Sequence, residues 1–147
     1  MKKFLLVAMS ALLLSAAAFA AEEIKLEGIN CLVAGNKPAK ADKSVDYKGG
    51  KVYFCCANCP KAFEKDTAKF ATKANAQLVA TKQFSQVACP FSGKPIAAGT
   101  GVKVAGVEVS FCCMNCKGAA EKAGEEATEK VFADAPFAKG FKIAEKK

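Results

Sequence analysis

Two nearly identical cysteine-rich stretches constrain this chain more than any other feature of its sequence. Residues 54–59 read Phe-Cys-Cys-Ala-Asn-Cys, and residues 111–116, which lie 57 positions further on, read Phe-Cys-Cys-Met-Asn-Cys. The two stretches hold six of the eight cysteines, and the other two, Cys31 and Cys89, precede the first cysteine of each stretch by 24 and 23 residues. The thiols therefore form two sets of four with almost equal spacing, which predicts that both sets perform the same task.

The duplication extends beyond the cysteine-rich stretches. Residues 89–93 match residues 31–35 at an offset of 58. Self-similarity of this length is typical of tandem structural repeats. We therefore predict a first repeat over residues 21–82 and a second over residues 83–147.

The local sequence pattern predicts the same elements in both repeats. Alternating apolar residues around a glycine-containing turn indicate β-hairpins in residues 45–54 and 102–111. Apolar residues at helical spacing indicate one or two short helices in residues 58–70 and helix in residues 119–127, whereas residues 77–80 are expected to be extended. The predicted fold class is α+β, with two tandem small treble-clef-like units, each a β-hairpin with one or two short helices.

Aromatic residues predict that the repeats differ in stability. Four aromatic side chains of the first repeat are replaced 57 positions later by smaller ones; the pairs are Tyr47 and Val104, Tyr53 and Ser110, Phe63 and Ala120, and Phe70 and Ala127. A buried aromatic side chain removes about 150–250 Å² from water. We therefore predict a thinner core, and a greater dependence on the thiol cluster, for the second repeat.

The first twenty residues have the pattern of a cleavable secretory signal. Lys2 and Lys3 form a basic start, residues 4–14 are apolar, and residues 18–20 provide a small-x-small cleavage site. The apolar stretch is shorter than the roughly 20 residues that a membrane span needs. We expect residues 1–20 to be a signal peptide, and the mature protein to be periplasmic or secreted without a stable membrane span.

Composition argues against several classes of function. The chain has no histidine, so it has neither a Ser–His or Cys–His catalytic pair nor an imidazole ligand. All 22 basic residues are lysines spread along the chain, whereas arginine is the usual residue for bidentate contacts with phosphates and bases. We therefore predict that the protein is not an enzyme and does not bind nucleic acid.

The thiol sets have three interpretations. Disulfides suit a secreted chain with an even number of cysteines. However, the Cα atoms of the neighbours Cys55 and Cys56 lie about 3.8 Å apart, below the usual disulfide range of about 4.4–6.8 Å. A C-x-x-C oxidoreductase would need a βαβ context that these short repeats do not provide.

Metal ligation uses the predicted geometry better, because a turn, a strand end and a helix start can converge on one tetrahedral site. An all-sulfur ligand set suits Zn(II) or Cu(I). Met114 is either an additional soft ligand that favours Cu(I) or a filler of the helix face. The candidate ligands are the eight cysteines, Cys31, Cys55, Cys56, Cys59, Cys89, Cys112, Cys113 and Cys116.

The first repeat resembles a known family. Residues 47–59 contain a Tyr-Lys-Gly-Gly turn followed by Tyr-Phe-Cys-Cys-Ala-Asn-Cys, with Phe63 and Phe70 behind it. This pattern is similar to the YHS/TRASH family of small metal-binding domains, in which Tyr-Phe-Cys-Ser-x-x-Cys follows an aromatic–glycine hairpin. Members of that family accompany the transport and sensing of heavy metals, copper in particular.

The resemblance extends to the second repeat and implies which thiols bind the metal. The ligands that it implies are Cys55, Cys59, Cys112 and Cys116. The second cysteine of each stretch, Cys56 or Cys113, stands where the family often has serine. The sequence therefore predicts an exported protein that holds Cu(I) or Zn(II) for sequestration, delivery or sensing, with a metal transporter or other envelope protein as partner. The alternative is a non-catalytic secreted module whose cysteines are disulfides or structural zinc staples.

Overall fold

The structure is a computed structural model that describes residues 24–145, so the predicted signal peptide lies outside the described residues. The described chain is α+β, as predicted, and is built from short helices and two-stranded antiparallel sheets. Within residues 24–145, none of the helices has the length and apolar character needed to cross a membrane.

The first half of the described chain (residues 24–86) is a hairpin followed by two helices and a short strand. Its elements are β1 (Lys40–Tyr47), β2 (Gly50–Phe54), α1 (Asn58–Lys65), α2 (Thr67–Ala80) and β3 (Phe84–Gln86). The hairpin turn places Lys48 and Gly49 at positive φ angles of 51° and 83°. A two-residue turn with both φ angles positive matches the twist of an antiparallel hairpin.

One local prediction for the first half is wrong. Residues 77–80 were expected to be extended, but they form the last turn of α2. The sequence of α2 is rich in alanine, which has the highest helix propensity. Gln77 and Leu78 are both buried, so tertiary packing supports the helix at this end.

The second half (residues 87–145) begins with the same arrangement of a turn, a hairpin and a helix. Its elements are β4 (Val102–Val104), β5 (Val107–Val109), α3 (Met114–Ala123), α4 (Ala127–Phe132), α5 (Asp134–Gly140) and β6 (Phe141–Ile143). A single 3-10 turn at residues 124–126 separates α3 from α4. The predicted second hairpin is therefore confirmed, whereas the helix predicted over residues 119–127 is α-helical only as far as residue 123, where the 3-10 turn interrupts it.

The last strands of the two halves pair with each other. Ser85 of β3 lies opposite Lys142 of β6, and the flanking pairs are Phe84 with Ile143 and Gln86 with Phe141. Since β6 lies 57 positions after β3, Ser85 and Lys142 occupy equivalent positions in the two repeats. The pairing is therefore symmetric about this central pair. The halves are thus joined through equivalent strands, while the predicted boundary after residue 82 stays a prediction.

One hydrophobic core runs through both halves. Phe137 lies 5.1 Å from Phe84 and 5.4 Å from Phe141 between ring centroids, and Phe141 lies 5.5 Å from Phe132. The expectation of a thinner second core is wrong, because these aromatic residues of α4, α5 and β6 replace the ones missing from the second hairpin and helix.

Candidate metal centres

The structure brings three cysteine sulfurs together in each half. Site 1 consists of Cys31, Cys55 and Cys59, and site 2 consists of Cys89, Cys112 and Cys116. Within each site, the sulfur atoms all lie within 4.8 Å of one another. Each group of three is close enough to bind one metal ion through thiolate ligands.

Three separate segments build each site. In site 1, Cys31 lies in a turn, Cys55 directly follows β2, and Cys59 is the second residue of α1. In site 2, Cys89 occupies the equivalent turn, and the other two ligand candidates follow the second hairpin and begin α3. This is the convergence of a turn, a strand end and a helix start that the spacing predicts.

The turn that carries the first cysteine directs backbone N–H groups at its sulfur. The Ala34 N–H donates to Cys31 Sγ at 3.4 Å. The turn is closed by Gly35 N–H, which donates to the Cys31 carbonyl at 2.7 Å, and Gly93 makes the same bond to Cys89 at 2.7 Å. Both glycines have positive φ angles, 74° and 71°, which glycine adopts without steric cost.

These N–H groups favour the ionised form of the turn cysteines. Burial opposes ionisation of Cys31, but backbone N–H groups, foremost that of Ala34, lower its pKa overall. Burial is likewise outweighed at Cys89, where the Ser92 hydroxyl and neighbouring backbone N–H groups lower the pKa to about 6. Because the thiolate is the form that binds metal, each site has one candidate ligand that ionises readily.

The helix cysteines show the opposite shift. Burial and the adjacent thiols raise the pKa of Cys59, and they raise the pKa of Cys116 to about 12. Several thiolates in contact repel one another and are poorly solvated, which disfavours ionising all of them together. A metal cation among the sulfurs removes this penalty, since it deprotonates coordinating thiols outright.

The fourth cysteine of each set lies beside the group of three. Cys56 and Cys113 are both exposed. The Cys56 sulfur lies 3.4 Å from that of Cys59, and the Cys113 sulfur lies 3.7 Å from that of Cys112. The Cys59 side chain and nearby backbone N–H groups lower the pKa of Cys56 to about 7. The assignment of these two residues as metal ligands stays a prediction.

Site 2 is more open and more polar than site 1. Cys116 is partly exposed, whereas its counterpart Cys59 is buried. The Ser92 Oγ lies 3.2 Å from Cys112 Sγ, and its single hydroxyl hydrogen can be donated either to that sulfur or to the Cys89 thiolate, while the equivalent position in site 1 is an alanine. Met114, which lies within the second cysteine stretch, is 64% exposed at the start of α3.

Sequence reasoning missed a glutamine that assembles site 1. Gln77 Oε1 accepts from the Tyr53 N–H at 2.6 Å, and its Nε2 donates to the carbonyls of Tyr53 and Asn30, each at 3.0 Å. Tyr53 lies two residues before Cys55, and Asn30 directly precedes Cys31. One buried amide therefore ties the strand that carries one ligand to the turn that carries another.

Gln86 does the same for site 2 from a different position in its half. Its Oε1 accepts from the Ser110 N–H at 2.8 Å, and its Nε2 donates to the carbonyls of Ser110 at 2.5 Å and Ala88 at 3.0 Å. Because Gln77 and Gln86 are not equivalent in the repeat, the duplication does not reveal them. The one feature of the sequence that could have drawn attention to these glutamines is that all three glutamines of the chain lie within ten residues.

Gln77→Ala is expected to lower the free energy of unfolding by about 2 kcal/mol, because it leaves buried backbone groups of Tyr53 without partners. The matched control is Gln83→Ala, since Gln83 makes the same pair of bonds to the more exposed Lys51, both at 2.6 Å. Urea unfolding of the metal-loaded protein measures both variants. Equal losses of stability would contradict the special role of the buried amide.

Ser92→Ala is expected to raise the pKa of the Cys89 thiol from its value of about 6, because the hydroxyl stabilises the thiolate. Protons then compete more strongly for that ligand, so site 2 should release metal at a higher pH. Native mass spectrometry of the zinc-loaded protein at falling pH measures the pH at which each site releases its ion. The reciprocal change Ala34→Ser should lower the pKa of Cys31, so that site 1 releases its ion at a lower pH, and unchanged release in both variants would refute the role of the hydroxyl.

Comparisons of the chain with protein-family models, with curated proteins and with solved structures find no match. The resemblance to the YHS/TRASH family therefore stays a prediction from the sequence.

Proposed function

We propose that this protein is an exported metal-binding protein that holds one soft transition-metal ion, Cu(I) or Zn(II), in each of its two sites. The observation that carries the proposal is the close approach of three cysteine sulfurs, within 4.8 Å of one another, at two equivalent places in the fold. Thiolate ligands favour Zn(II) and Cu(I) over hard cations such as Mg²⁺ and Ca²⁺.

The grouping in threes supports metal binding over disulfide bonding. A disulfide within a site joins two of its three sulfurs, so the third could pair only with the exposed Cys56 or Cys113. Cys31 and Cys89 are fully buried, and both receive backbone N–H groups that favour thiolate. A metal ion uses all three sulfurs at once and compensates the buried negative charge.

The cellular role follows from features of the sequence. The signal pattern of residues 1–20 supports export to the periplasm or beyond, where the bound metal is sequestered, delivered or sensed. The absence of histidine supports a non-catalytic role. The proposed partner is a metal transporter or another envelope protein that exchanges metal with the two sites.

Purely structural zinc is the second candidate function. It is favoured by one observation, that Cys31, Cys59 and Cys89 belong to the hydrophobic core. In that case the metal ions would stabilise the fold of a secreted interaction module. Metal exchange distinguishes the two functions, because a structural site retains its ion in the presence of a competing thiol.

Intact-mass measurement of gently purified, exported protein without reductant tests the proposal. We expect two metal ions per chain in the native spectrum and eight free thiols after denaturation. Cys31→Ser and Cys89→Ser should each lose one ion, since each removes a buried ligand from one site. Four disulfides with no bound metal in the native protein would refute the proposal.

A further inference from the structure

Each site combines enclosed sulfurs with one sulfur that faces solvent. Cys31 and Cys89 are 0% exposed and Cys59 is 8% exposed, so solvent reaches these sulfurs little or not at all. Cys56 and Cys113 are exposed, and each has its sulfur within 3.7 Å of a sulfur of its site. A metal bound by the enclosed sulfurs therefore has one exposed thiol beside it.

We propose that Cys56 and Cys113 are exchange ligands, through which each site passes its metal to an acceptor that presents thiols. This inference rests on the proposed function. An acceptor sulfur must approach the metal from solvent, and the other cysteines of each site are buried or only partly exposed. The exposed thiol lies on the open side, where it can share the metal with the acceptor before the enclosed sulfurs release it.

The transfer is a ligand exchange in which the metal keeps its oxidation state. The acceptor thiol gives up its proton and forms a metal–sulfur bond. The bond from the metal to Cys56 or Cys113 breaks, and the released thiolate takes up the proton. Repetition of this exchange at the enclosed sulfurs completes the transfer, so no oxidant or reductant is needed.

Neighbouring residues make site 2 the faster donor. Met114 is 64% exposed and directly follows Cys113, so site 2 has an exposed thioether residue next to its exchange ligand in the sequence. The first half has Ala57 at the equivalent position. Cys116 is also partly exposed where Cys59 is buried. We therefore expect the metal of site 2 to reach the acceptor before that of site 1.

Transfer from the zinc-loaded full chain to the small dithiol dimercaptosuccinate tests the inference. The variant Cys56→Ser/Cys113→Ser should retain two ions per chain by native mass spectrometry but transfer them at least about tenfold more slowly. Both positions are exposed, so the substitution leaves the core intact. The matched control is Asn58→Ala/Asn115→Ala, which changes exposed neighbours of the same stretches and should transfer at the wild-type rate.

The possible outcomes separate this inference from the proposed function. A double variant that stays loaded and transfers at the wild-type rate overturns the exchange role and leaves metal binding intact. Loss of the ions from the double variant, to the extent expected for Cys31→Ser, also overturns it, because the exposed thiols would then be required for metal retention and not only for exchange. Failure of the wild-type chain to bind zinc or copper overturns both proposals together.

Discussion

Removal of metal from both sites is expected to unfold the two halves together. Cys31 and Cys89, whose pKa values are lowered, are part of one hydrophobic core, so their thiolates, left without a cation, would destabilise that shared core. A structural thiolate–zinc site supplies about 10–16 kcal/mol of folding free energy in small peptides. Since a whole domain is typically stable by about 5–15 kcal/mol, the metal-free protein should lose its cooperative fold.

Hydrogen exchange at rising chelator concentration measures this loss. Backbone amides of β2 and of β5 should lose protection at the same chelator concentration, because β3 and β6 join the halves. Readdition of zinc should restore protection to both hairpins. Loss of protection in β5 well before β2 would show that the halves unfold separately, as the distribution of aromatic residues in the hairpins alone suggests.

The elements that the sequence predicts correctly are determined by local interactions. Each hairpin has alternating apolar residues and a two-residue turn, Lys48-Gly49 in one and Ala105-Gly106 in the other, with both φ angles positive. Each cysteine site depends on a strand end and a helix start that are at most five residues apart in the chain. Such short-range patterns are visible without knowledge of the packing.

The features that the sequence does not reveal depend on long-range contacts. Gln77 bonds to Asn30 across 47 residues, and Asn75 donates to the Phe132 carbonyl at 2.8 Å across 57 residues. No local pattern of polar and apolar residues specifies such partners. The same applies to the pairing of β3 with β6, which puts the aromatic residues at the end of the chain into a core shared by both halves.

The division of each thiol set into three and one is also not visible in the sequence. Cys55 and Cys56 are adjacent in the bend after β2, and both of their sulfurs approach that of Cys59, at 3.7 Å and 3.4 Å. The spacing assigns four thiols to each set, but it does not indicate which of them is exposed. The structure separates them by exposure, since Cys56 faces solvent while Cys55 is partly buried.

Phe141→Ala is expected to lower the free energy of unfolding by about 3–5 kcal/mol, the usual cost of removing a phenylalanine from a core. Phe141 is 2% exposed, and its ring lies 5.4 Å from that of Phe137 and 5.5 Å from that of Phe132. Urea unfolding at saturating zinc measures the change. Lys142→Ala is the matched control on the same strand, and as an exposed position it should stay within about 0.5 kcal/mol of the wild type.

Phe141→Ala should also weaken metal binding at site 2 more than at site 1. Phe141 pairs with Gln86 in the β3–β6 sheet, and Gln86 in turn holds the backbone of Ser110, two residues before Cys112. A cavity at Phe141 therefore loosens the strand that positions a ligand of site 2, whereas site 1 is held by Gln77 on α2. Native mass spectrometry during zinc competition should show a one-ion species with site 2 empty. Equal weakening of both sites would mean that the shared core, rather than the glutamine-linked strand, carries the effect.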